Sequence, residues 1–268
     1  MKEKDENMQQ SLLEMRHVEI SYGGEPVVHD VNLVLKPGEI LGVVGESGSG
    51  KSTLIKAAMG LLGNQGRITG GDILYKGNSL LHMQPEALRK MRGPEIAMVF
   101  QNCASSLCPI RRIGDQLFEL MEQHNQRNRE KVIDRALDLF EKMNLSDGRN
   151  ILESYPFELS GGMNQRIGIV MAMMLKPALL FADEPTSALD VIVQAQVVKE
   201  LMKLRDEFGT AIVIVTHNIG LVSYMADKAA VMYQGRLLEY GATKEIISNP
   251  QEAYTQRLIQ AVPKIRRG

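Results

Sequence analysis

Two stretches of this 268-residue chain have the residues to hold an anion. Gly45 to Ser52 reads GESGSGKS. Glycines at 45, 48 and 50 let successive backbone N–H groups turn inward without Cβ interference, and Ser52 places a hydroxyl where a divalent cation would sit. Lys51 adds a full charge, worth up to about 4 kcal/mol at about 4 Å where the effective dielectric is about 20. Leu159 to Arg166 reads LSGGMNQR. Its glycines, ahead of an apolar helix expected from Ile167 onward, offer backbone N–H groups and a helix N-terminus but no lysine. Taken alone, it also fits an ordinary capped helix start. The second stretch either holds a different anion or completes a site that one copy of the chain cannot finish.

Three further positions carry compatible chemistry. Asp183-Glu184 follows the apolar run ALLFA (Ala178 to Ala182). An aspartate there can hold Mg²⁺ through its water shell, and the adjacent glutamate can polarise a water for in-line attack on a phosphate. Gln101 is a neutral amide able to touch both metal and water. His217 can hydrogen-bond a terminal phosphate and hold Glu184 in line. Either residue alone is more often structural, and the acidic pair is what makes them candidates.

The elements that must position these groups share one design. ILGVV (Ile40 to Val44), IAMVF (Ile96 to Phe100), ALLFA and IVIV (Ile212 to Val215) are continuous apolar runs, as in parallel strands covered on both faces. Each is followed at once by polar residues: Gly45, Gln101, Asp183-Glu184 and Thr216-His217. Carboxyl ends of strands form the ligand crevice in an open α/β sheet, so these groups are expected to converge. A helix is expected over Ser52 to Gly60. Val197, Val198, Leu201, Leu204 and Phe208 make one apolar helical stripe, stopped by Gly209, and Ile133, Ala136, Leu137, Phe140 and Met143 make another. His17 to Glu39 reads as strands with turns at Gly23-Gly24 and Pro37-Gly38, an antiparallel flank, and Gln234-Gly235 reads as a hairpin turn. From Asn102 to Pro156 helix-type sequence dominates, which reads as a helical insertion in an α/β core.

Composition removes several classes. With 44% hydrophobic residues the chain can bury a large core. A formal net charge of −1 and no long basic run argue against a surface that neutralises phosphates along nucleic acid. The run Ile167 to Ala182 is broken by Lys176-Pro177 and falls short of the roughly 20 residues of a spanning helix. The start, MKEKDENMQQ, lacks an apolar signal core, so the chain is expected to stay in the cytoplasm. Lys264 to Arg267 reads as a solvated basic tail. Cys103 and Cys108 lack the further ligands of a zinc site and read as plain thiols.

GESGSGKS, Gln101, LSGGMNQR, LLFADEP, SALD (Ser187 to Asp190) and Thr216-His217 stand in the order and approximate spacing of the ATP-binding cassette (ABC) ATPases, which the chain resembles from about Leu12 to Pro263. The resemblance implies an α/β P-loop NTPase fold with an ABC-type core, an antiparallel β flank and an inserted helical subdomain. One nucleotide-binding domain would fill 1–268, with 12–101 and 166–248 as core and flank, 102–165 as the helical subdomain and 249–268 as a tail. It implies ATP held by Gly45, Glu46, Ser47, Gly48, Ser49, Gly50, Lys51, Ser52 and Thr53, with Tyr22 stacking on adenine. Mg²⁺ would be held by Ser52, Gln101 and Asp183, and Glu184, Gln101 and His217 would be catalytic. In this family two cassettes face head to tail, so Ser160, Gly161, Gly162, Gln165 and Asp190 of one copy would reach the ATP of the other. The implied partners are an identical or sister ATPase, membrane permease subunits met near 102–112 and, indirectly, an extracytoplasmic substrate-binding protein. The place would be the cytoplasmic face of the membrane.

A narrower likeness joins MRGPEIAMVFQ (Met91 to Gln101), SYPFELSGGM (Ser154 to Met163), VMYQGRLLEYG (Val231 to Gly241) and NPQEAYTQRLIQAVP (Asn249 to Pro263) to the ATPases of oligopeptide, dipeptide and nickel importers. The chain departs from that group at Asn102-Cys103 for Asp-Pro, Cys108 for Asn, Asn164 for Arg and Asn218 for Asp. It ends without the cysteine-bearing extension of many peptide systems, which leans toward a nickel or metal-chelate cargo over a small peptide. A soluble ATPase of this superfamily acting on DNA or ribosomes is the rival reading. Against it, Gln101 and Ser160 are only 59 positions apart, leaving no room for a long coiled coil, and one cassette is present rather than two. A P-loop kinase would lack LSGG and SALD.

Overall fold

The computed structural model describes residues 11–187 and 189–262. The charged start, Ala188 within SALD, Pro263 and the basic tail lie outside the described residues. In chain order the strands are β1 (Leu13–Tyr22), β2 (Glu25–Leu35), β3 (Ile40–Val44), β4 (Gly66–Tyr75), β5 (Asn78–Ser79), β6 (Ile96–Val99), β7 (Leu179–Asp183), β8 (Ala211–Thr216), β9 (Lys228–Tyr233) and β10 (Arg236–Ala242). The helices are α1 (Lys51–Ala58), α2 (Pro85–Met91), α3 (Cys103–Ser106), α4 (Ile113–Gln123), α5 (Arg129–Lys142), α6 (Gly148–Glu153), α7 (Gly161–Met173), α8 (Val191–Phe208), α9 (Ile219–Met225), α10 (Thr243–Ser248) and α11 (Ala253–Gln260). A 3-10 turn spans Pro156–Glu158. The chain divides into two compact units, residues 1–92 with 211–268 and residues 93–210.

In the first unit the strand order is β5-β4-β1-β2-β10-β9-β3-β8. Parallel pairing joins β3 to both β8 and β9, whereas β1 pairs antiparallel with β2 and β4. Every residue of β3 and β8 is buried, which is why their sequences run apolar without alternation. The flank alternates instead: Leu13, Met15, Val18 and Ile20 of β1 are buried, with partly or fully exposed residues between several of them. All three expected two-residue turns form, Pro37-Gly38 with Gly38 at φ 69°. Gly23 and Gly24 have φ of 57° and 92°, and Gln234 and Gly235 have 46° and 76°, the left-handed pair that matches strand twist in a tight hairpin. Strand β4 is not among the sequence expectations. It is interrupted at Gly71, whose φ is 73° and where a Cβ would stand 2.2 Å from the carbonyl oxygens of Arg16 and His17, so only glycine fits.

In the second unit β6 and β7 pair in parallel, from Ile96 with Leu179 to Val99 with Ala182. These two strands share a unit with helices α3 to α8, so the compact division falls at 93 and 210 instead of at the expected 102 and 165. The α8 stripe buries Val197, Val198, Leu201 and Leu204, and Gly209 ends the helix at φ 67°. On α5 the buried face is Val132, Ala136, Leu139 and Phe140, with Met143 at the cap, so the expected Ile133 and Leu137 sit on its half-buried shoulders.

Candidate active site

The predicted residues fall into two sets, one in each unit. In the first unit β3 ends at Val44 beside Thr216 of β8, so Gly45 and His217 follow neighbouring strand ends. The loop from Gly45 leads into α1, which starts at Lys51, one residue before the expected Ser52, and stops at Ala58. Gly45 has no alternative residue: a Cβ there would lie 2.1 Å from the Met232 carbonyl oxygen. Gly48 and Gly50 take φ of 80° and 92°, which turns the backbone around the anion position. Lys51 is 4% exposed, and its Nζ donates to the Glu46 carbonyl at 2.6 Å and to Ser49 Oγ at 3.3 Å. The ammonium is thus already drawn into the loop. Glu46 and Ser47 are exposed, Ser49 is buried, and Ser52 and Thr53 are half-buried on the first turn of α1. Tyr22, also half-buried, ends β1 against Gly66, where an added Cβ would meet its ring at 2.8 Å. His217 is exposed.

In the second unit the register of β6 and β7 sets Gln101 close to Asp183-Glu184. Gln101 Nε2 donates to Glu184 Oε2 at 3.3 Å. Asp183 is 5% exposed at the end of its strand. Glu184 adopts φ 44°, a left-handed conformation that costs a non-glycine residue about 1–3 kcal/mol when the surroundings impose it, and its carbonyl accepts from the Ser187 N–H at 3.2 Å. The catalytic candidate therefore sits on a sharp turn, its carboxylate aimed by Gln101 and not by its own strand.

The LSGG stretch belongs to the same unit. Helix α7 begins at Gly161, earlier than the expected Ile167, and Ser160 caps it by accepting from the Met163 N–H at 3.2 Å. Ser160 and Gly161 are exposed. A Cβ on Gly161 would meet nothing within 4 Å, and one on Gly162 only ordinary contacts with Val193 and Leu189. Gln165, expected among the residues reaching a second nucleotide, is instead buried at 6% exposure, because its position one turn into α7 faces the interior. Asn164, the departure from Arg, is also interior and donates to the Pro156 carbonyl at 2.9 Å. Arg166 pairs with Glu200 of α8, Nε to Oε2 at 3.2 Å, and Asn144 Nδ2 donates to Glu200 Oε1 at 2.9 Å. Burial raises the Glu200 carboxyl pKa despite both partners. Asp190 caps α8, accepting from the N–H groups of Ile192 and Val193 at 3.1 and 3.0 Å, and leaves Val191 and Ile192 81% exposed.

Between Gln101 and Arg112 the chain is clipped from behind. Gln116 accepts from the Cys108 N–H at 2.8 Å and donates to the Cys108 and Arg111 carbonyls at 3.0 and 2.9 Å, while Ile110 stands 82% exposed. Cys103 is buried, and burial pushes its thiol up to about 11, so it is not placed to crosslink with a neighbouring protein. Cys108 is half-buried and more accessible. Among the described residues, no cluster of three or more His, Cys, Asp or Glu could by itself hold a metal, and no helix is long and apolar enough to cross a membrane.

Known proteins resemble this chain in sequence and fold. A model of the ABC transporter family matches residues 28–187. The oligopeptide transport ATP-binding protein OppD of Salmonella typhimurium is 40% identical over 258 residues, covering 95% of this chain and 77% of that protein. The dipeptide transport ATP-binding protein DppD of Lactococcus lactis is 38% identical over 262 residues, covering 96% and 75%. Among solved structures, the ATP-binding cassette MJ0796, a dimer bound to ADP and Pi in a post-hydrolysis state, superposes with a TM-score of 0.74 at 26% identity over 86% of this chain and 98% of that one. The fold also matches cbiO1 of Clostridium perfringens, with a TM-score of 0.77 at 24% identity over 90% and 92%. On a match that spans more than half of the sequence and relatives that align along nearly all of it, the chain belongs to the ABC transporter family.

Proposed function

We propose that the chain is the ATP-hydrolysing subunit of an importer of peptides, with a nucleotide site completed by a second copy or a sister subunit. The observation that carries this reading is the pairing of Gln101 with Glu184 at 3.3 Å beyond two register-matched strands. Glu184 takes a proton from the water that attacks the γ-phosphate, Gln101 fixes the direction of that carboxylate, and His217 bonds the phosphate that leaves. Lys51 and the loop N–H groups from Ser47 onward take up the charge on the transferred group, and Tyr22 stacks on the adenine. Mg²⁺ would be held by the Ser52 hydroxyl, the Asp183 carboxylate and the Gln101 amide oxygen, all hard oxygen donors of the kind it takes. Bound there, the metal would neutralise charge between the phosphates.

The second copy enters through Ser160, Gly161, Gly162 and Asp190. Gly161 has no steric reason within its own chain to be glycine, which supports a close approach from outside. ATP that bridges two copies binds the closed pair better than the open one, and this difference is what shifts the equilibrium. Residues 102–112, held by Gln116 with Ile110 outward, are the surface for the permease, which places the subunit at the cytoplasmic face of the membrane with the substrate-binding protein beyond it. A net charge of −1 argues against a surface that neutralises phosphates along nucleic acid. A peptide cargo is supported by the names of the relatives. The names of those relatives give no such support to a nickel or metal-chelate cargo.

Glu184→Gln tests the assignment. The variant should bind MgATP as the parent does and hydrolyse it about 10²- to 10⁴-fold more slowly, the usual value of a positioned base. Unchanged steady-state turnover would remove Glu184 from the role. For the cargo, cells lacking the subunit should lose uptake of labelled short peptides while keeping uptake of nickel.

A further inference from the structure

The tail helix α11 reaches the phosphate loop. Glu46 N–H donates to Tyr254 Oη at 2.9 Å, a contact between residues 208 positions apart. Tyr254 is 5% exposed, packed in a cluster with Val44, Val222 and Val231, and its ring lies 4.5 Å from that of Tyr233. Tyr233 ends β9 just before the hairpin turn, and in that turn Gly235 N–H donates to the Ser49 carbonyl at 3.3 Å. Two elements from the end of the chain therefore brace the loop from behind.

The two backbone groups of Glu46 point to different partners. Its N–H is taken by Tyr254, and its carbonyl receives Lys51 Nζ at 2.6 Å. With the Glu46 N–H tied to the protein, the peptide planes that follow are set before any nucleotide arrives. We infer that Tyr254 is a positioning residue for ATP, its hydroxyl fixing the entry of the phosphate loop so that α11 sets the affinity for nucleotide. Binding then loses less conformational freedom in the loop, so the effect should appear in affinity and not in the chemical step. Burial raises the tyrosine pKa and keeps the hydroxyl neutral at ordinary pH. The inference rests on the reading of residues 45–53 as the ATP loop.

Tyr254→Phe removes the hydroxyl and leaves the ring against Tyr233. In the full chain, KM for MgATP should rise about three- to tenfold, the worth of one hydrogen bond, while kcat stays within about twofold. The Glu46 amide should exchange with deuterium faster without nucleotide, while the amides of α11 and the urea midpoint stay close to the parent's. A parental KM in Tyr254→Phe overturns the inference, and so does a matched loss of KM, kcat and tail-helix protection, which would make the residue merely structural. Lys51→Ala separates the two levels. If it loses MgATP binding while Tyr254→Phe behaves as the parent, only the tyrosine role fails; if it binds MgATP normally, the loop assignment fails and the inference with it.

Discussion

The loop at Gly45 and the helix start at Ser160 are both built to meet an anion, yet they differ in how far their own chain has finished them. Around the loop every brace is internal: Lys51 is folded onto Glu46 and Ser49, Gly45 is pressed against Met232, and Tyr254 holds the Glu46 N–H. At the helix start Ser160 and Gly161 are exposed, and among the described residues none comes within 4 Å of a Cβ placed on Gly161. A finished cradle binds by itself, whereas an open one has work only when something is brought to it. That contrast is what the proposed sharing of a site between two copies would require.

The contrast can be broken most directly at Ser160. Ser160→Arg should leave MgATP binding to the isolated chain intact but abolish ATP-driven association, with turnover lower on the order of 10²- to 10³-fold, as for loss of one charge-stabilising element. Dimers that still form with ATP, seen by gel filtration, would show the helix start to be self-sufficient. Next in size is the support beneath it. Glu200→Ala leaves Arg166 without its partner under α7 and should lower stability by about 3–5 kcal/mol in urea unfolding, the usual result of splitting a buried ion pair. A loss below about 1 kcal/mol would mean that α7 is held by packing alone. The smallest effect distinguishes the two thiols. At pH 7.5 iodoacetamide should modify Cys108 well before Cys103, whose rate should climb only as pH approaches about 11. Equal rates at neutral pH would show α3 to be open.

Much of this arrangement was legible from residue order because it depends on local pattern. Continuous apolar runs marked β3, β6, β7 and β8 to within about one or two residues, the assignment error to expect at element ends, and the glycines of the two hairpin turns announced their left-handed backbone. Other features depend on contacts that no local pattern encodes. Strand β4 was missed because Gly70-Gly71 interrupts its alternation, and that interruption makes sense only beside Arg16 and His17 of β1. The stripe of α5 was drawn one position off because Val132 and Leu139 fit the period as well as Ile133 and Leu137 do, and only the packing partner decides between them. The place of Gln165 in LSGGMNQR does not reveal its burial, because a helix turns a side chain five residues past its cap to whichever face the interior requires. Nothing local in NPQEAYTQRLIQAVP signals a role for Tyr254, since its partner is 208 positions away in the sequence.

Cys103 stands two residues after Gln101, and a Cβ on Gly168 of α7 would fall 2.4 Å from its sulfur, so α3 and the middle of α7 touch with no slack. Two rods welded at one point translate together. If residues 102–112 meet a permease as proposed, a push on α3 passes directly to the helix whose tip is Ser160.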